Sequence, residues 1–306
     1  MADFMPDPFD EHTRLVDLIA AAGVTPPDEW VSLRSRLKLF NQIGTPLLSR
    51  LSAAVVDGSD ADIEALRASA IAEQQAAPKV SSAVRAAVLK RMREVYSVVA
   101  VDNYNRMVKI FDEWATKFVA TTRLVDVEAD GAAIVDQPDK ERRAWLDSQR
   151  YSAQLTKLVP ILHGAAQLTG MVPERARRDG GGRDAVLIPL CCNITDQHRR
   201  RVWLAWRNID PGADSTVVTR ADIMTPPRDT RCGRWSALTA AGIPIRALPK
   251  LDEFEPYRPP RPVEQRIKPT PGDPIHTGEY YYIDPEDEPQ PQEPELAKPR
   301  IRHLAR

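Results

Sequence analysis

The first 170 residues repeat their apolar positions with the period of amphipathic helices. One face recurs at the i, i+3, i+4 and i+7 positions, and it consists of Leu15, Leu18, Ile19 and Ala22. A second stripe follows a pair of prolines, and it consists of Trp30, Leu33, Leu37 and Phe40. Thr45 and Pro46 suit an N-cap and a first helical turn, so a third helix is expected there. The pattern predicts a helical, bundle-like domain over residues 1–170.

One segment of this domain, residues 79–130, contains neither glycine nor proline. Its apolar stripe slips near Asp102, so the pattern predicts either one helix of about 75 Å or two helices with a break there. We expect the preceding helix to end before Pro78, and a later one, beginning at Asp139, to kink or end at Pro160. When an apolar stripe extends beyond the part that its own helical bundle can bury, the helix typically packs against a partner.

The period changes after a charged, glycine-rich stretch, residues 171–184, which we interpret as a linker. Beyond it, AVLIPLCCNI and RVWLAW place apolar residues at every second position, which predicts a β-hairpin closed by TDQHRR. STVVTR predicts a third strand, Pro189 favours an edge strand, and RWSALTAAG predicts a short helix. Together these runs predict a small α+β domain over residues 185–246.

The end of the chain is rich in proline, with 14 of the 27 prolines in the last 64 residues. Such a segment buries too little apolar surface to offset its ordering entropy, so we expect a Pro-rich, largely disordered tail over residues 247–306. Tyr280, Tyr281 and Tyr282 form an apolar island within it, and they are candidate partner-docking residues. A tail that only improves solubility is the alternative on composition alone.

Charge is unevenly distributed although the net charge is only −1. Residues 171–246 hold 13 arginines and no lysine against 8 acidic residues, so this segment is electropositive. A strand face carrying Arg199, Arg201, Trp203 and Arg207 would offer phosphate partners around a stacking ring, which is typical of a nucleic-acid surface. A structural hairpin with a solvated charged face is the favoured interpretation, since strands at a surface carry charge anyway.

Metal-binding patterns are weak. Cys191, Cys192, His198 and Cys232 supply zinc-ligand atoms, but adjacent cysteines on a strand point to opposite faces, so buried thiols are favoured. Residues 126–137 follow a calcium loop in part, yet Gln137 stands where a bidentate Glu is needed, which favours an acidic turn. We expect no metal and no cofactor.

Catalytic motifs are missing from the sequence as well. No nucleophile stands beside a histidine, and there is no dinucleotide, hydrolase or zinc-protease motif. A non-catalytic role is therefore favoured, while an enzyme that joins His163 or His198 to carboxylates from distant positions stays a third interpretation.

Composition also bears on location. No apolar run approaches the roughly 20 residues of a membrane span, and the three cysteines cannot form an even disulfide framework. We therefore expect a cytoplasmic protein that does not enter a membrane. Arginine supplies 32 of the 42 basic residues, which suggests a GC-rich bacterial genome or one of its phages; a phage protein would lie in the host cytoplasm or the virion.

Taken together, these patterns predict a mainly α N-terminal domain with one long helix or helix pair, a small α+β domain and a disordered tail. We expect an interaction or assembly protein that oligomerises or docks on a protein partner through its helical domain, such as a bacterial or phage structural or morphogenesis factor. A nucleic-acid-binding protein that uses the arginine-rich hairpin is the alternative.

Overall fold

The computed structural model describes residues 7–42, 46–57, 62–174, 182–195, 199–209 and 225–259, and the backbone of 264–268 and 279–283. Most of these residues are helical. The helices are α1 (Pro8–Ala21), α2 (Asp28–Gln42), α3 (Pro46–Asp57), α4 (Ile63–Thr122), α5 (Gly131–Ile134), α6 (Asp139–Leu168), α7 (Asp184–Cys191), α8 (Arg199–Trp206) and α9 (Arg234–Ala240). A 3₁₀ turn spans Leu251–Glu253, and two antiparallel strands, β1 (Glu264–Lys268) and β2 (Glu279–Ile283), follow. Within the described ranges, no helix has the length and hydropathy to cross a membrane.

The first helices form as their sequences predict. Asp7 caps α1, because its carboxylate accepts a hydrogen bond from the backbone N–H of Phe9 at 2.8 Å. The apolar face of α1 packs on α6 at Gly164, where an added Cβ would lie 3.1 Å from Leu15 Cδ2. The missing side chain of Gly164 therefore sets the close approach of these two helices.

Helix α4 is one continuous helix of 60 residues, about 90 Å long. The prediction that a helix ends before Pro78 is wrong, since α4 passes through that residue. Pro78 cannot donate to the carbonyl of Gln74, but both residues are exposed, so water can satisfy that carbonyl. Proline in a helix interior is less favourable than alanine by about 3 kcal/mol, so the packing of α4 elsewhere has to offset this cost.

The slip in the apolar stripe near Asp102 does not break α4 either. Asn103 is buried on the core-facing side, and its Nδ2 donates to the hydroxyl of Tyr96 at 3.2 Å. A polar residue thus occupies one position of the stripe, which is why the apolar pattern alone loses its register there. Helix α6 likewise passes through Pro160 and ends only at Leu168.

The predicted β-hairpin is wrong. Its two runs form helices α7 and α8, and among the described residues between 185 and 246 the only β-type pairing is a single bridge between Cys192 and Ile245. Every residue of α7 from Ala185 to Cys191 is buried, so the segment is apolar on all sides and carries no helical period. The α+β domain is therefore not confirmed, although the short helix predicted at RWSALTAAG is α9. The predicted third strand, STVVTR, lies outside the described residues.

The first part of the predicted tail is folded. Backbone hydrogen bonds join residues 244–248 to the end of α7, including Arg246 N to Cys191 O at 3.1 Å. Leu251 and Tyr257 are buried in the main core. The expectation of disorder is thus wrong for residues 247–259, because this stretch has enough apolar side chains to bury; most of the later tail lies outside the described residues.

One hydrophobic core unites the helices with this C-terminal segment. Its members include Ile19, Phe111, Leu155, Trp206 and Tyr257, so α1, α4 and α6 share buried surface with the residues after the predicted linker. The division at residues 171–184 stays a prediction, since much of that stretch is outside the described residues.

Candidate functional site

Helix α8 brings together three of the four residues predicted to bind nucleic acid. Arg199, Trp203 and Arg207 are spaced four residues apart, which places them along one side of a helix. Arg201 lies about 200° around the axis from Arg199 and points away from that side. A single strand face carrying all four residues therefore does not form.

The ring of Trp203 is already engaged within the protein. It stacks on Tyr257 with ring centroids 6.2 Å apart and an interplanar angle of 10°. The guanidinium of Arg207 lies 5.7 Å from the Trp203 centroid, and the Tyr257 hydroxyl donates to the carbonyl of Arg199. The half-buried tryptophan thus joins α8 to the C-terminal segment, and a nucleic-acid base would have to compete with Tyr257 for its face.

A cavity of about 380 Å³ lies beside α8, and three arginines line it: Arg207, Arg228 and Arg234. The guanidinium of Arg234 sits 4.4 Å from the ring of Trp206, whose Nε1 donates to Asp184 Oδ1 at 3.0 Å. We call this concave surface the arginine cleft. Sequence reasoning missed two of its arginines because they are remote along the chain, and only the arginine bias of residues 171–246 pointed to this region.

Asn208 forms the wall of the arginine cleft and ends α8. It has φ of 55°, and its backbone N–H together with that of Ile209 caps the helix by hydrogen bonds to the carbonyls of Ala205 and Leu204. Its side-chain Nδ2 donates to the Arg228 carbonyl at 2.7 Å and to Thr230 Oγ1 at 2.8 Å. One residue thereby fixes the loop that carries an arginine of the cleft against the end of α8.

The acidic loop that follows α4 binds the loop before α9. The Glu128 carboxylate accepts hydrogen bonds from the backbone N–H groups of Arg231 and Cys232 at 2.7 and 2.9 Å. The Arg231 guanidinium lies 3.5 Å from the ring centroid of Trp145 and donates to Ser148 Oγ at 2.9 Å. This carboxylate holds two loops together, which is the role of an acidic turn rather than of a calcium ligand.

The described candidates for metal binding and catalysis do not assemble into one site. Cys191, Cys192 and Cys232 are buried, and burial raises the pKa of the Cys191 thiol to about 12. His163 is buried in α6, where burial lowers its pKa, and its Nε2 lies 3.4 Å from the Pro173 carbonyl oxygen. His198 lies outside the described residues. Among the residues that the structure describes, no three metal-binding side chains meet.

The second surface of interest is an arm formed by α3 and residues 63–77 of α4. Helix α3 packs on α4, and the Leu47 N–H at its start donates to the Glu73 carboxylate at 3.0 Å. Along α4 the first buried residue is Ala70 and the next is Met92, so the helix between them leaves the core. We call α3 with residues 63–77 the apolar arm.

Large aliphatic side chains of the apolar arm face solvent. The exposed ones are Leu48, Val55, Val56, Ile63 and Ile71, and Val56 keeps 82% of its surface accessible. A contact between α3 and α4 thus buries one side of each helix and leaves apolar surface on the other.

The three candidate docking tyrosines lie on strand β2. Tyr280 pairs with Ile267, Tyr281 with Arg266 and Tyr282 with Gln265 on strand β1. Successive residues of a strand alternate between faces, so Tyr280 and Tyr282 share one face and Tyr281 belongs to the other.

Comparison with known proteins identifies no family for this chain. No family model matches the chain, and no curated protein or solved structure shows significant similarity to it. Function has to be argued from the surfaces described above.

Proposed function

We propose that this protein is a non-catalytic interaction protein that docks on a protein partner through the apolar arm. The observation that carries the proposal is the set of five exposed aliphatic side chains on α3 and the start of α4. Several large aliphatic side chains exposed on one pair of helices are typical of a surface that associates with another protein. An assembly or morphogenesis role in a bacterium or phage is one form of the proposal, and the arginine-rich composition is compatible with such a source.

The energetics support a docking role for this arm. Fully burying one Val, Leu or Ile side chain contributes about 1.5–3 kcal/mol, so covering several of them supplies a large part of a micromolar affinity of about 8 kcal/mol. Helices that present such anchors at helical spacing typically lie in an apolar groove of the partner or pair with a partner helix.

The test changes the arm without touching the core. Substituting Val55, Val56 and Ile71 with serine removes apolar surface from exposed positions, so the fold is expected to persist. We expect the natural chain to migrate in native extracts of its own cells at a mass well above its 34.2 kDa, and the variant to shift toward its own mass.

The matched control substitutes Val135 and Leu146 with serine, since these side chains are 64% and 62% exposed but lie away from the arm. The control is expected to migrate like the natural chain. An arm variant that keeps the full complex mass would contradict the proposal.

Nucleic-acid binding is the second candidate, and the convergence of Arg207, Arg228 and Arg234 on one cleft favours it. Guanidinium groups suit phosphate because they donate two parallel hydrogen bonds. If the cleft binds phosphate, affinity for a single-stranded oligonucleotide falls steeply as salt rises, and Arg228→Ala with Arg234→Ala reduces both the affinity and the salt dependence. Equal binding by this double variant and the natural chain would exclude the arginine cleft as the site.

A further inference from the structure

The side of α4 opposite the core carries a regular row of exposed residues. They are spaced three or four residues apart, and they are Val80, Ala83, Ala87, Lys90, Glu94, Val98, Val101 and Asn105. We call this row the outward stripe. A helix that packs along a second helix shows the same alternation of three-residue and four-residue spacings. In the outward stripe, two four-residue spacings follow each other once, from Lys90 to Glu94 and from Glu94 to Val98.

Other parts of the chain pack against the side of α4 opposite the stripe. Arg91 reaches Glu29 of α2 at 2.8 Å, while Met92 and Tyr96 pack in a core cluster with Trp30 of α2. Toward its end, α4 meets the C-terminal segment, where the Ala247 N–H donates to Asp112 Oδ1 at 2.8 Å. All side chains of the outward stripe are exposed, including Val98 at 82%.

Two copies of the stripe that run antiparallel place complementary residues opposite each other. Lys90 and Glu94 lie at equal distances on either side of Met92, so two antiparallel copies centred there bring each Lys90 opposite a Glu94. The same arrangement sets Ala83 opposite Val101, while Val98 lies one residue away from the position opposite Ala87. Val98 and Val101 thus approach alanines, which leaves room for the larger side chains.

We propose that the outward stripe pairs with the same stripe of a second copy of this chain, antiparallel and with the two-fold axis at Met92. Charge complementarity selects this occupant, because one surface supplies both the cation and the anion, and large and small residues in matching places. The alternative of two parallel helices in register would set Lys90 against Lys90 and Glu94 against Glu94, which is repulsive at both positions. This inference deepens the proposed interaction function by naming the partner of a surface separate from the apolar arm.

The test is a charge exchange in the purified full chain, followed by sedimentation equilibrium over a wide range of concentration. Lys90→Glu and Glu94→Lys each replace two attractive contacts in the dimer with two repulsive ones, so each is expected to weaken the dimer about tenfold. The double variant Lys90→Glu with Glu94→Lys restores opposite charges across the axis and is expected to dimerise like the natural chain. Val98→Glu, which places a charge beside Ala87 in the paired stripe, is expected to abolish the dimer.

The controls separate pairing from folding and from the apolar arm. Arg143→Glu reverses an exposed charge on α6 and is expected to leave the dimer unchanged. Rescue by the double variant cannot arise from a folding defect. A chain that stays monomeric at every concentration, or single reversals that leave the association unchanged, would overturn the inference. Neither result bears on the variant at Val55, Val56 and Ile71, so failure here leaves the docking proposal for the apolar arm standing.

Discussion

The backbone N–H of Tyr257 donates to the carbonyl of Ala185 at 2.7 Å. That carbonyl is free because Pro189, four residues later in α7, has no N–H with which to complete the helix. The C-terminal segment thus supplies the hydrogen bond that a proline removes from a helix buried from Ala185 to Cys191. Without it, the Ala185 carbonyl would lack this partner in an apolar environment, which is costly.

The first prediction concerns this segment. A chain that ends after Arg246 loses Leu251 and Tyr257 from the core and the Leu248 carbonyl to which the Tyr104 hydroxyl donates. We expect its free energy of unfolding, measured in urea, to be at least about 4 kcal/mol below that of a chain that ends after Pro259. Equal stability of the two truncated chains would show that residues 247–259 do not contribute to the core.

The second prediction concerns Arg231, which stacks on Trp145 and donates to the carbonyl of Val127 and to Ser148. Arg231→Ala removes both hydrogen bonds and leaves the two acceptors only the weak Sγ–H donor of Cys232, so we expect a loss of about 2–4 kcal/mol in unfolding free energy. Arg231→Lys keeps the charge but not the planar donor group, and an intermediate loss is expected. Substitution of the exposed Arg143 with alanine is the control, and a comparable loss there would refute a specific role for Arg231.

The third prediction concerns pH. His12 is buried, its Nε2 accepts from Trp30 Nε1 at 3.2 Å, and burial lowers its pKa from 6.5 to about 4. As the pH falls, the unfolded chain therefore binds a proton at this site before the folded chain does. The contribution of neutral His12 to the free energy of unfolding is complete above pH 6.5. It is lost as the pH drops toward 4, and the total loss is about 3 kcal/mol.

Substitution of His12 with glutamine removes this titration and keeps an acceptor for Trp30. We expect the denaturant midpoint of this variant to decrease less between pH 6.5 and 4 than that of the natural chain. His163 stays and acts in the same direction because its pKa is also lowered, so some dependence persists. Identical pH profiles for the variant and the natural chain would contradict the assignment to His12.

The fourth prediction separates two roles of Asn208. Both Asn208→Gly and Asn208→Ala lose the hydrogen bonds to Arg228 and Thr230, but only alanine is strained at a φ of 55°. We expect alanine to reduce the unfolding free energy by about 1 kcal/mol more than glycine does. The reverse order in thermal denaturation would mean that backbone strain is unimportant at the end of α8.

Sequence patterns predict the helices of this protein where one face is buried and the other exposed. Helix α1 is such a case, because Leu15 and Ile19 mark its inner side and charged residues its outer side. Helix α7 is the opposite case: a run buried on all sides carries no period, so alternation in a few apolar residues is mistaken for a strand. The buried Asn103 similarly obscures the continuity of α4.

The candidate surfaces were predictable only in part. The sequence predicted an apolar stripe over residues 79–130 that exceeds its own domain, but the apolar arm lies before Pro78, in a stretch predicted to be a separate helix. The arginine cleft could not be predicted from the sequence. Arg228 and Arg234 lie near Arg207 only because Asn208 holds the intervening loop in place. The outward stripe was also missed, because alanines at its positions contribute little to an apolar pattern read for core residues.

The most direct test of the central claim is site-specific photo-crosslinking in the cells that contain this protein. A photoreactive residue in place of Val56 lies on the apolar arm, and one in place of Val135 is comparably exposed but lies elsewhere. The account predicts a discrete crosslinked protein product from the position of Val56 and none from that of Val135. No product at Val56, or the same products from both positions, would contradict docking through the apolar arm.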